Sequence, residues 1–312
     1  MSATANANKL TFAVIGDSAA YGTGDEMPDG STRGWAYYLA NSFQWDCEYL
    51  NFARPGAKSD EVATTQLSLV KEKQPDICAV IAGGNDLLRN GFDPDTLYTN
   101  LRTTCDQLMA QGSEVIMFEL HDPNRLLPIP KLLKRVLRRR VEAVNAVYQK
   151  LANELDLVLI RTREIPDVHD LSNWHVDRMH PGPLGHHLLA TEMASALAGR
   201  GWKVETPKRE ATAIYSRRQK IAWMVVKGTP WFFKRSFDLL PVALFLMAIE
   251  SVKVVGGGIR KLRLRIRQLP GNRRDEQLIP HDLHIARNND LAKSYQSQIQ
   301  FRASNYHQAM WR

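Results

Sequence analysis

Short apolar runs and helix-like stretches alternate along the first 200 residues, and this alternation limits the folds open to the chain. Five runs rich in apolar and β-branched residues occur, at Leu10–Ile15, Cys47–Phe52, Asp76–Ala82, Glu114–Leu120 and Leu157–Ile160. The segments "ICAVIA" and "IMFEL" are nearly continuously apolar, which is typical of strands buried on both faces. The pattern predicts an α/β fold, in which a five-stranded parallel sheet carries helices on both faces.

Helix-like stretches separate these runs, at Gly34–Phe43, Ser59–Lys73, Pro94–Gln111 and Lys131–Leu155, and a last helix is predicted over Leu184–Ala198. In open parallel sheets, active sites gather beyond the carboxyl ends of the strands. Three polar or glycine-rich groups fall at such ends, namely Gly16-Asp17-Ser18, Gly83-Gly84-Asn85-Asp86 and His121-Asp122. We therefore expect the functional residues to come from these turns.

The alternation of strand-like and helix-like segments ends near residue 202, and the net charge of the chain changes sign there. Residues 1–204 carry a net charge of −4, whereas residues 205–312 carry +12. The apolar run Leu239–Ile249 has only 11 residues, fewer than the roughly 20 that span a bilayer. We predict a catalytic domain over 1–204 and a basic extension over 205–312. The extension either associates with an anionic membrane or a partner or packs on the catalytic domain. The polar tail after about residue 270 is expected to be partly disordered.

The cysteines and the N-terminus bear on the compartment. Cys47, Cys78 and Cys105 form no C-x-x-C pair and are odd in number, so we predict buried thiols in a reducing environment. The N-terminal stretch "MSATANANKLTF" lacks the basic and apolar regions of a secretory signal. Together these features predict a cytoplasmic protein, peripheral at the inner membrane face if the extension binds lipid.

Ser18 is a candidate nucleophile, provided that the chain supplies a base. Asp177 and His180 are three residues apart, just before the last predicted helix. On a tight loop the aspartate can reach Nδ1 of the imidazole and leave Nε2 for a serine hydroxyl. His175 has a poorer spacing to Asp177, and His121 is interpreted as a pocket wall. His169, His186 and His187 are further competitors, the last two on the predicted helix.

Two glycine-containing turns are candidates for oxyanion binding. Gly56, after the second strand, can offer a backbone N–H without a side chain in the way. Asn85, after the third strand, can direct an amide N–H into a cleft. Glycine, asparagine and aspartate are common in turns of any kind. These two turns indicate an oxyanion site only because Ser18 and His180 occur in the same chain.

Taken in order, four blocks resemble the SGNH/GDSL hydrolase family. They are Gly16-Asp17-Ser18, Gly56, Gly83-Gly84-Asn85-Asp86 and Asp177-Arg178-Met179-His180-Pro181, and the resemblance covers roughly residues 10–200. "RGWA" at 33–36 and "DRMHPGPLGH" at 177–186 look like its bacterial branch. Ala19 stands where the family has its name-giving leucine. That neighbour carries no proton or charge, so the departure leaves the chemistry intact.

The resemblance implies a flavodoxin-like three-layer α/β/α sandwich and hydrolysis of carboxylic esters, lipid esters among them, without metal or cofactor. It implies that Ser18 is the nucleophile, His180 the general base and acid, and Asp177 the residue that orients His180. It also implies that the oxyanion is held by the backbone N–H groups of Ser18 and Gly56 and by the Asn85 side chain.

Other readings remain. A protein of the same fold can instead be an acyltransferase that moves an acyl group to a sugar or another alcohol. It can also be a non-enzymatic scaffold whose catalytic site has lost its activity. The absence of a Gly-x-Ser-x-Gly elbow argues against an α/β-hydrolase fold, and the first strand is not followed by a dinucleotide fingerprint.

Two further features have structural explanations. Six basic residues lie between Lys131 and Arg140, but apolar residues at helical spacing favour a solvated face of a core helix over nucleic-acid binding. The basic extension also lacks the pattern of an RNA-binding module. Trp35 and Trp174 either line an acyl pocket or pack in the core.

Overall fold

The computed structural model describes residues 9–27, 29–89 and 91–209, together with Leu244, Met247 and Ala248. Five parallel strands form one sheet: β1 (Lys9–Gly16), β2 (Asp46–Asn51), β3 (Ile77–Ile81), β4 (Glu114–Phe118) and β5 (Val158–Ile160). Their order is β2-β1-β3-β4-β5, the doubly wound order of flavodoxin-like folds. The predicted α/β class and strand number are confirmed. Successive strands are added toward one edge of the sheet from β1 to β2 and toward the other edge from β3 onward, so the switch point lies between β1 and β3.

Between residues 9 and 209 the described part of the chain has seven α-helical segments: α1 (Ser18–Tyr21), α2 (Gly34–Ala40), α3 (Ser59–Glu61), α4 (Leu67–Lys71), α5 (Pro94–Ala110), α6 (Lys131–Glu154) and α7 (Pro183–Gly199). Two buried clusters lie on opposite faces of the sheet. One includes residues of α2 and α7 and contains the fully buried Trp35 and Phe12. The other includes residues of α4, α5 and α6 and contains Leu101 and Tyr148. The three layers follow from strands that are apolar on both faces.

The second predicted helix is interrupted. A π-helical turn, Val62–Gln66, separates α3 from α4, where the sequence predicts one regular helix over Ser59–Lys73. A π turn adds one residue to a helical turn, so side chains beyond it rotate relative to those before it. Such turns are frequent at functional sites.

The cysteines follow the prediction in part. Cys78 and Cys105 are buried, whereas Cys47 on β2 is only partly buried, and all three are free thiols. Cys47 differs because β2 is an edge strand, with polar residues alternating along it.

The chain leaves α7 and returns to the sheet domain. Val204 pairs with Phe43, and the Glu205 N–H donates to the Ser42 carbonyl over 2.8 Å. The predicted extension over 205–312 lies outside the described residues beyond 209, apart from the three residues named above. No helix in the described part of the chain is long and apolar enough to cross a bilayer.

Candidate active site

Ser18 begins helix α1 directly beyond the end of β1, where backbone geometry demands glycine and aspartate. Gly16 has φ +145°, and a Cβ atom there would lie 2.0 Å from the Ile81 carbonyl oxygen. Asp17 caps the short helix, because its Oδ1 accepts from the Ala19 N–H over 2.9 Å. The tight turn leaves Ser18 partly exposed at the rim of a cavity. The turn at Gly16-Asp17 therefore explains why a serine directly follows the buried strand β1.

Gln66 holds the end of β1 in place, and sequence reasoning missed it. Its Oε1 accepts from the Gly16 N–H over 2.7 Å, and its Nε2 donates to the Gly16 carbonyl over 3.0 Å. Gln66 is the last residue of the π turn and is 2% exposed. The sequence offers one indication of this contact, because Gln66 falls on a helix face that is otherwise apolar. A glutamine buried on such a face is usually hydrogen-bonded to a specific partner.

Ser18, His180 and Asp177 form one hydrogen-bonded chain. Nε2 of His180 lies 2.8 Å from Oγ of Ser18, and Nδ1 of His180 lies 2.8 Å from Oδ2 of Asp177. The loop is tight because Arg178, between them, has φ +56°. Oδ1 of Asp177 also accepts from the backbone N–H groups of Met179 and His180, over 2.8 and 3.0 Å.

The pKa shifts of Asp177 and His180 fit a base that is oriented by a fixed negative charge. Burial by itself raises the pKa of Asp177, but hydrogen bonds from His175 and His180 outweigh it and hold that pKa well below its usual range. Burial lowers the pKa of His180, whereas the hydrogen bond and charge of Asp177 raise it, and the result lies above the ordinary histidine value. Asp177 therefore stays ionised beside His180.

His175 also belongs to this loop, although its spacing to Asp177 is the poorer one. Its Nδ1 lies 3.3 Å from Oδ2 of Asp177, and its N–H donates to the His180 carbonyl over 2.9 Å. His175 is buried, whereas Nε2 of His180 contacts Ser18. His175 thus supports the aspartate, and His180 is the histidine that faces the serine.

The oxyanion candidates meet at the same cavity as Ser18. Gly56 has φ +89°, and both Gly56 and Asn85 line that cavity. Nδ2 of Asn85 donates to the Ala57 carbonyl over 3.0 Å, which orients the amide and leaves its second N–H for another acceptor. The structure therefore brings Ser18, Gly56 and Asn85 together around one space.

Two polar contacts fix the turns that carry these donors. Asp86 accepts from both the N–H and the hydroxyl of Ser59, at 3.1 and 2.6 Å, and so ties the Gly83–Asp86 turn to the start of α3, just beyond Gly56. The buried Tyr148 hydroxyl, on α6, bonds both the carbonyl and the N–H of Ala82. Asp86, the last residue of the Gly83-Gly84-Asn85-Asp86 block, therefore has a structural role.

The end of β4 is held in the same way. Asn145 on α6 accepts from the Leu120 N–H over 2.8 Å and donates to the Leu120 carbonyl over 2.9 Å. With Gln66 at Gly16 and Tyr148 at Ala82, three neighbouring strand ends each have their backbone donor and acceptor satisfied by a single buried side chain. This arrangement makes the site rigid.

The cavity beside Ser18 has a volume of about 330 Å³. Most of its wall is apolar and includes Leu87, Leu120, Leu137, Val141, Val168 and Leu188. Trp174 lines it as well. Trp35 does not: it is fully buried, packs edge-on against Phe118, and its Nε1 donates to the Ala19 carbonyl over 2.8 Å.

The remaining histidines have distinct places. His121 lines the cavity, as predicted for a wall residue. His186 is buried in α7 and bridges the Trp35 N–H and the Thr23 carbonyl, at 3.2 and 3.0 Å. His187 contacts the Pro207 carbonyl. Within the described ranges, no group of three or more histidine, cysteine, aspartate or glutamate side chains is arranged to hold a metal ion.

The doubly wound sheet and its Ser-His-Asp chain at the switch point define a class of α/β/α protein with a hydrolase-type site. The model of the GDSL-like Lipase/Acylhydrolase family matches residues 14–188. The chain belongs to this family of hydrolases.

Individual relatives agree with this assignment. Over 188 residues the chain is 27% identical to thioesterase 1/protease 1/lysophospholipase L1 of Escherichia coli strain K12, an alignment that covers 60% of this chain and 83% of that protein. Among solved structures, the crystal structure of TesA is similar with a TM-score of 0.50 and 24% identity, and the match covers 61% of this chain and 98% of that one. The latter similarity concerns the fold.

Proposed function

We propose that the protein is a serine esterase that cleaves carboxylic esters through an acyl-enzyme on Ser18. The observation that carries the proposal is the continuous Ser18–His180–Asp177 chain, with two contacts of 2.8 Å, which opens onto an apolar cavity. Such a cavity suits the acyl chain of an ester. The name of the bacterial relative adds thioesters and lysophospholipids to the substrates worth testing.

Acylation begins when His180 takes the proton of Ser18 as the serine oxygen attacks the ester carbonyl. The negative charge that develops on the carbonyl oxygen is met by the N–H groups of Ser18 and Gly56 and the free N–H of Asn85. The imidazolium is stabilised by Asp177, which stays ionised. His180 then protonates the departing alkoxide, and an acyl-enzyme remains.

Deacylation repeats these steps with water. His180 takes a proton from water as its oxygen attacks the acyl carbonyl, the oxyanion forms in the same place, and Ser18 leaves with the proton that His180 returns. An alcohol that replaces this water would give an ester instead of an acid, which is the acyltransferase alternative.

A panel of p-nitrophenyl esters of increasing chain length, with matching thioesters, tests the proposal. We expect turnover of the wild-type protein, release of free acid, and loss of nearly all turnover in Ser18→Ala. A new ester formed preferentially when glycerol or a sugar is added would favour acyl transfer. Full activity of Ser18→Ala would contradict the role of Ser18, and no turnover on any substrate would favour a scaffold.

A further inference from the structure

Helix α6 projects beyond the edge of the sheet at which the candidate active site lies. Asn145 bonds Leu120 and Tyr148 bonds Ala82, so these two helix residues lie level with the ends of β4 and β3. At a rise of about 1.5 Å per residue, the helix start at Lys131 lies about 20 Å along the helix axis from Asn145. The chain enters α6 from the carboxyl end of β4 and leaves it for the amino end of β5. The first turns of α6 therefore extend past the carboxyl edge of the sheet.

These projecting turns have a cavity side and a charged side. Leu137 and Val141 line the cavity. Lys131, Arg135 and Arg138 are exposed, and their spacing of four and then three residues places them in one row along the helix. None of these three side chains forms a salt bridge within the described ranges. We call this row the basic stripe.

Two further basic residues hold the projecting turns in place. Nζ of Lys134 donates to the Asn124 carbonyl over 2.9 Å. Nη1 of Arg140 donates to the Leu87 carbonyl and to the Arg89 carbonyl, the latter over 3.0 Å. Leu87 and Arg89 line the cavity. The basic stripe is therefore fixed relative to the cavity wall.

The charge of the basic stripe is opposite to that of the domain that carries it. Residues 1–204 carry a net charge of −4, and the first acidic residue of α6 is Glu142. The part of α6 beside the sheet carries both signs, as at Lys150 and Glu154, which are 4.0 Å apart. An anionic surface is therefore attracted at the stripe and repelled by the domain as a whole, so it meets the domain in one preferred orientation.

Apolar residues lie next to the basic stripe in the segment that leads into α6. Pro128 and Pro130 are exposed there, and Leu127 lines the cavity. Basic side chains beside exposed apolar ones are typical of surfaces that lie at a lipid interface. The first aromatic residue of α6 is Tyr148, so the stripe lacks the side chains on which nucleic-acid bases stack. An anionic lipid surface fits this combination better than a nucleic acid does.

We propose that the basic stripe and residues 127–130 dock this domain on an anionic lipid surface, with the cavity beside the lipid. The docking uses residues of the described α/β domain and is separate from the contact predicted for the basic extension. It does not depend on the proposed esterase function. Its consequence, that a lipid ester reaches Ser18 from the surface, rests on that function.

Sedimentation of the full chain with phosphatidylglycerol vesicles tests the docking. The stripe variant carries three substitutions, namely Lys131→Gln, Arg135→Gln and Arg138→Gln. It should bind about a hundredfold more weakly than wild type. The control variant removes the same charge elsewhere in the domain and should bind almost as wild type does: Lys73→Gln, Lys150→Gln and Arg161→Gln. Equal binding by the stripe and control variants, or equally tight binding of wild type to phosphatidylcholine vesicles, would overturn the proposal.

A fluorescent label locates the contact without the stripe variant. An environment-sensitive dye is attached at Pro128→Cys in a protein that also carries Cys47→Ser, since Cys78 and Cys105 are buried. On phosphatidylglycerol vesicles the emission of this label should shift to shorter wavelength, because lipid replaces water around it. The same dye at Gln111→Cys, an exposed position at the end of α5, is the control and should not shift. A shift at both positions, or at neither, would contradict the docking.

Turnover distinguishes a failure of the docking from a failure of the esterase proposal. On a water-soluble p-nitrophenyl ester the stripe variant should keep the wild-type kcat/KM, because the stripe residues do not line the cavity. On a lipid ester carried in phosphatidylglycerol vesicles its kcat/KM should fall. If no ester is turned over, the sedimentation and the label still test the docking. Wild-type vesicle binding by the stripe variant, together with weaker binding of a duplex oligonucleotide, would overturn the docking in favour of a nucleic acid.

Discussion

At the scale of single residues, His180 sets the pH dependence of the proposed reaction. It acts as a base only when neutral, and Asp177 raises its pKa above the ordinary value. Activity should therefore be lost as pH falls, with a midpoint of kcat/KM above about 6.5. Asp177→Asn should lower activity and remove this upward displacement. A profile of kcat/KM from pH 5 to 9 checks both, and a flat profile or a midpoint below 6.5 would contradict the account.

Asn85 is expected to act on the transition state more than on substrate binding. Asn85→Ala should lower kcat by about 10²–10³ with a smaller effect on KM, because its free N–H meets charge that develops only during reaction. Asn41→Ala removes an exposed side-chain amide that donates to the Tyr37 carbonyl of its own helix and should leave both constants near wild type. Steady-state kinetics distinguish the two. Equal kcat for wild type and Asn85→Ala would exclude the amide as an oxyanion donor.

The residues that carry chemistry were largely predictable, because each lies at a strand end or in a short local motif. Asp177 and His180 are three residues apart, so their contact follows from local geometry. The contacts of His186 were not predictable. They join α7 to the Trp35 N–H and the Thr23 carbonyl in a distant part of the chain, and no local pattern encodes them.

At the scale of elements, the π turn is the feature that connects helix geometry to the site. It ends at Gln66, which satisfies the buried N–H and carbonyl of Gly16. Gln66→Met should leave the Gly16 N–H unpaired, whereas the Gly16 carbonyl keeps the bond from the Arg54 N–H over 3.1 Å. The free energy of unfolding should fall by about 1–3 kcal/mol for the unsatisfied N–H. The substitution should also lower kcat, because the Ser18 turn loses its anchor.

Urea unfolding and kinetics on the same samples measure these effects. Gln111→Met is the matched control, since Gln111 is an exposed residue at the end of α5 and its loss should change little. A Gln66→Met protein with wild-type unfolding free energy and wild-type kcat would show that the clamp on Gly16 is dispensable.

The five strands and the long helices α5, α6 and α7 were predicted within a few residues. The strands are short apolar runs, α6 carries apolar residues at helical spacing, and prolines stand at the starts of α5 and α7. The break in the predicted Ser59–Lys73 helix was not foreseen, because Val62, Leu67 and Val70 remain compatible with a regular helical face. A π turn is set by tertiary contacts, here the bonds from Gln66 to Gly16, rather than by hydrophobic spacing.

At the scale of the whole molecule, charge is unevenly distributed along the sequence, because residues 1–204 are net acidic and the predicted extension is net basic. Residues 205–312 carry +12 and lie almost entirely outside the described residues, so the membrane contact proposed for the extension rests on sequence alone. The full chain should sediment with anionic vesicles and not with neutral ones, and high salt should release it, because such contacts are screened.

A triple variant sharpens this test. Each basic residue near an anionic surface contributes about 1 kcal/mol, so Arg263→Gln, Arg265→Gln and Arg267→Gln together should weaken vesicle binding by about a hundredfold. The same charge removed from the α/β domain, by Lys73→Gln, Lys150→Gln and Arg161→Gln, is the control and should have a much smaller effect. Equal weakening by both triple variants, or binding to neutral vesicles, would contradict a specific role of the extension.

Covalent labelling tests whether Ser18 is the nucleophile of a Ser-His-Asp hydrolase. The full-length protein is treated with a fluorophosphonate probe, and the modified peptide is identified by mass spectrometry. The account predicts one adduct, on Ser18, which disappears in Ser18→Ala and forms more slowly when His180 is replaced by alanine. An adduct on another residue, or an unlabelled protein that still hydrolyses esters, would contradict it.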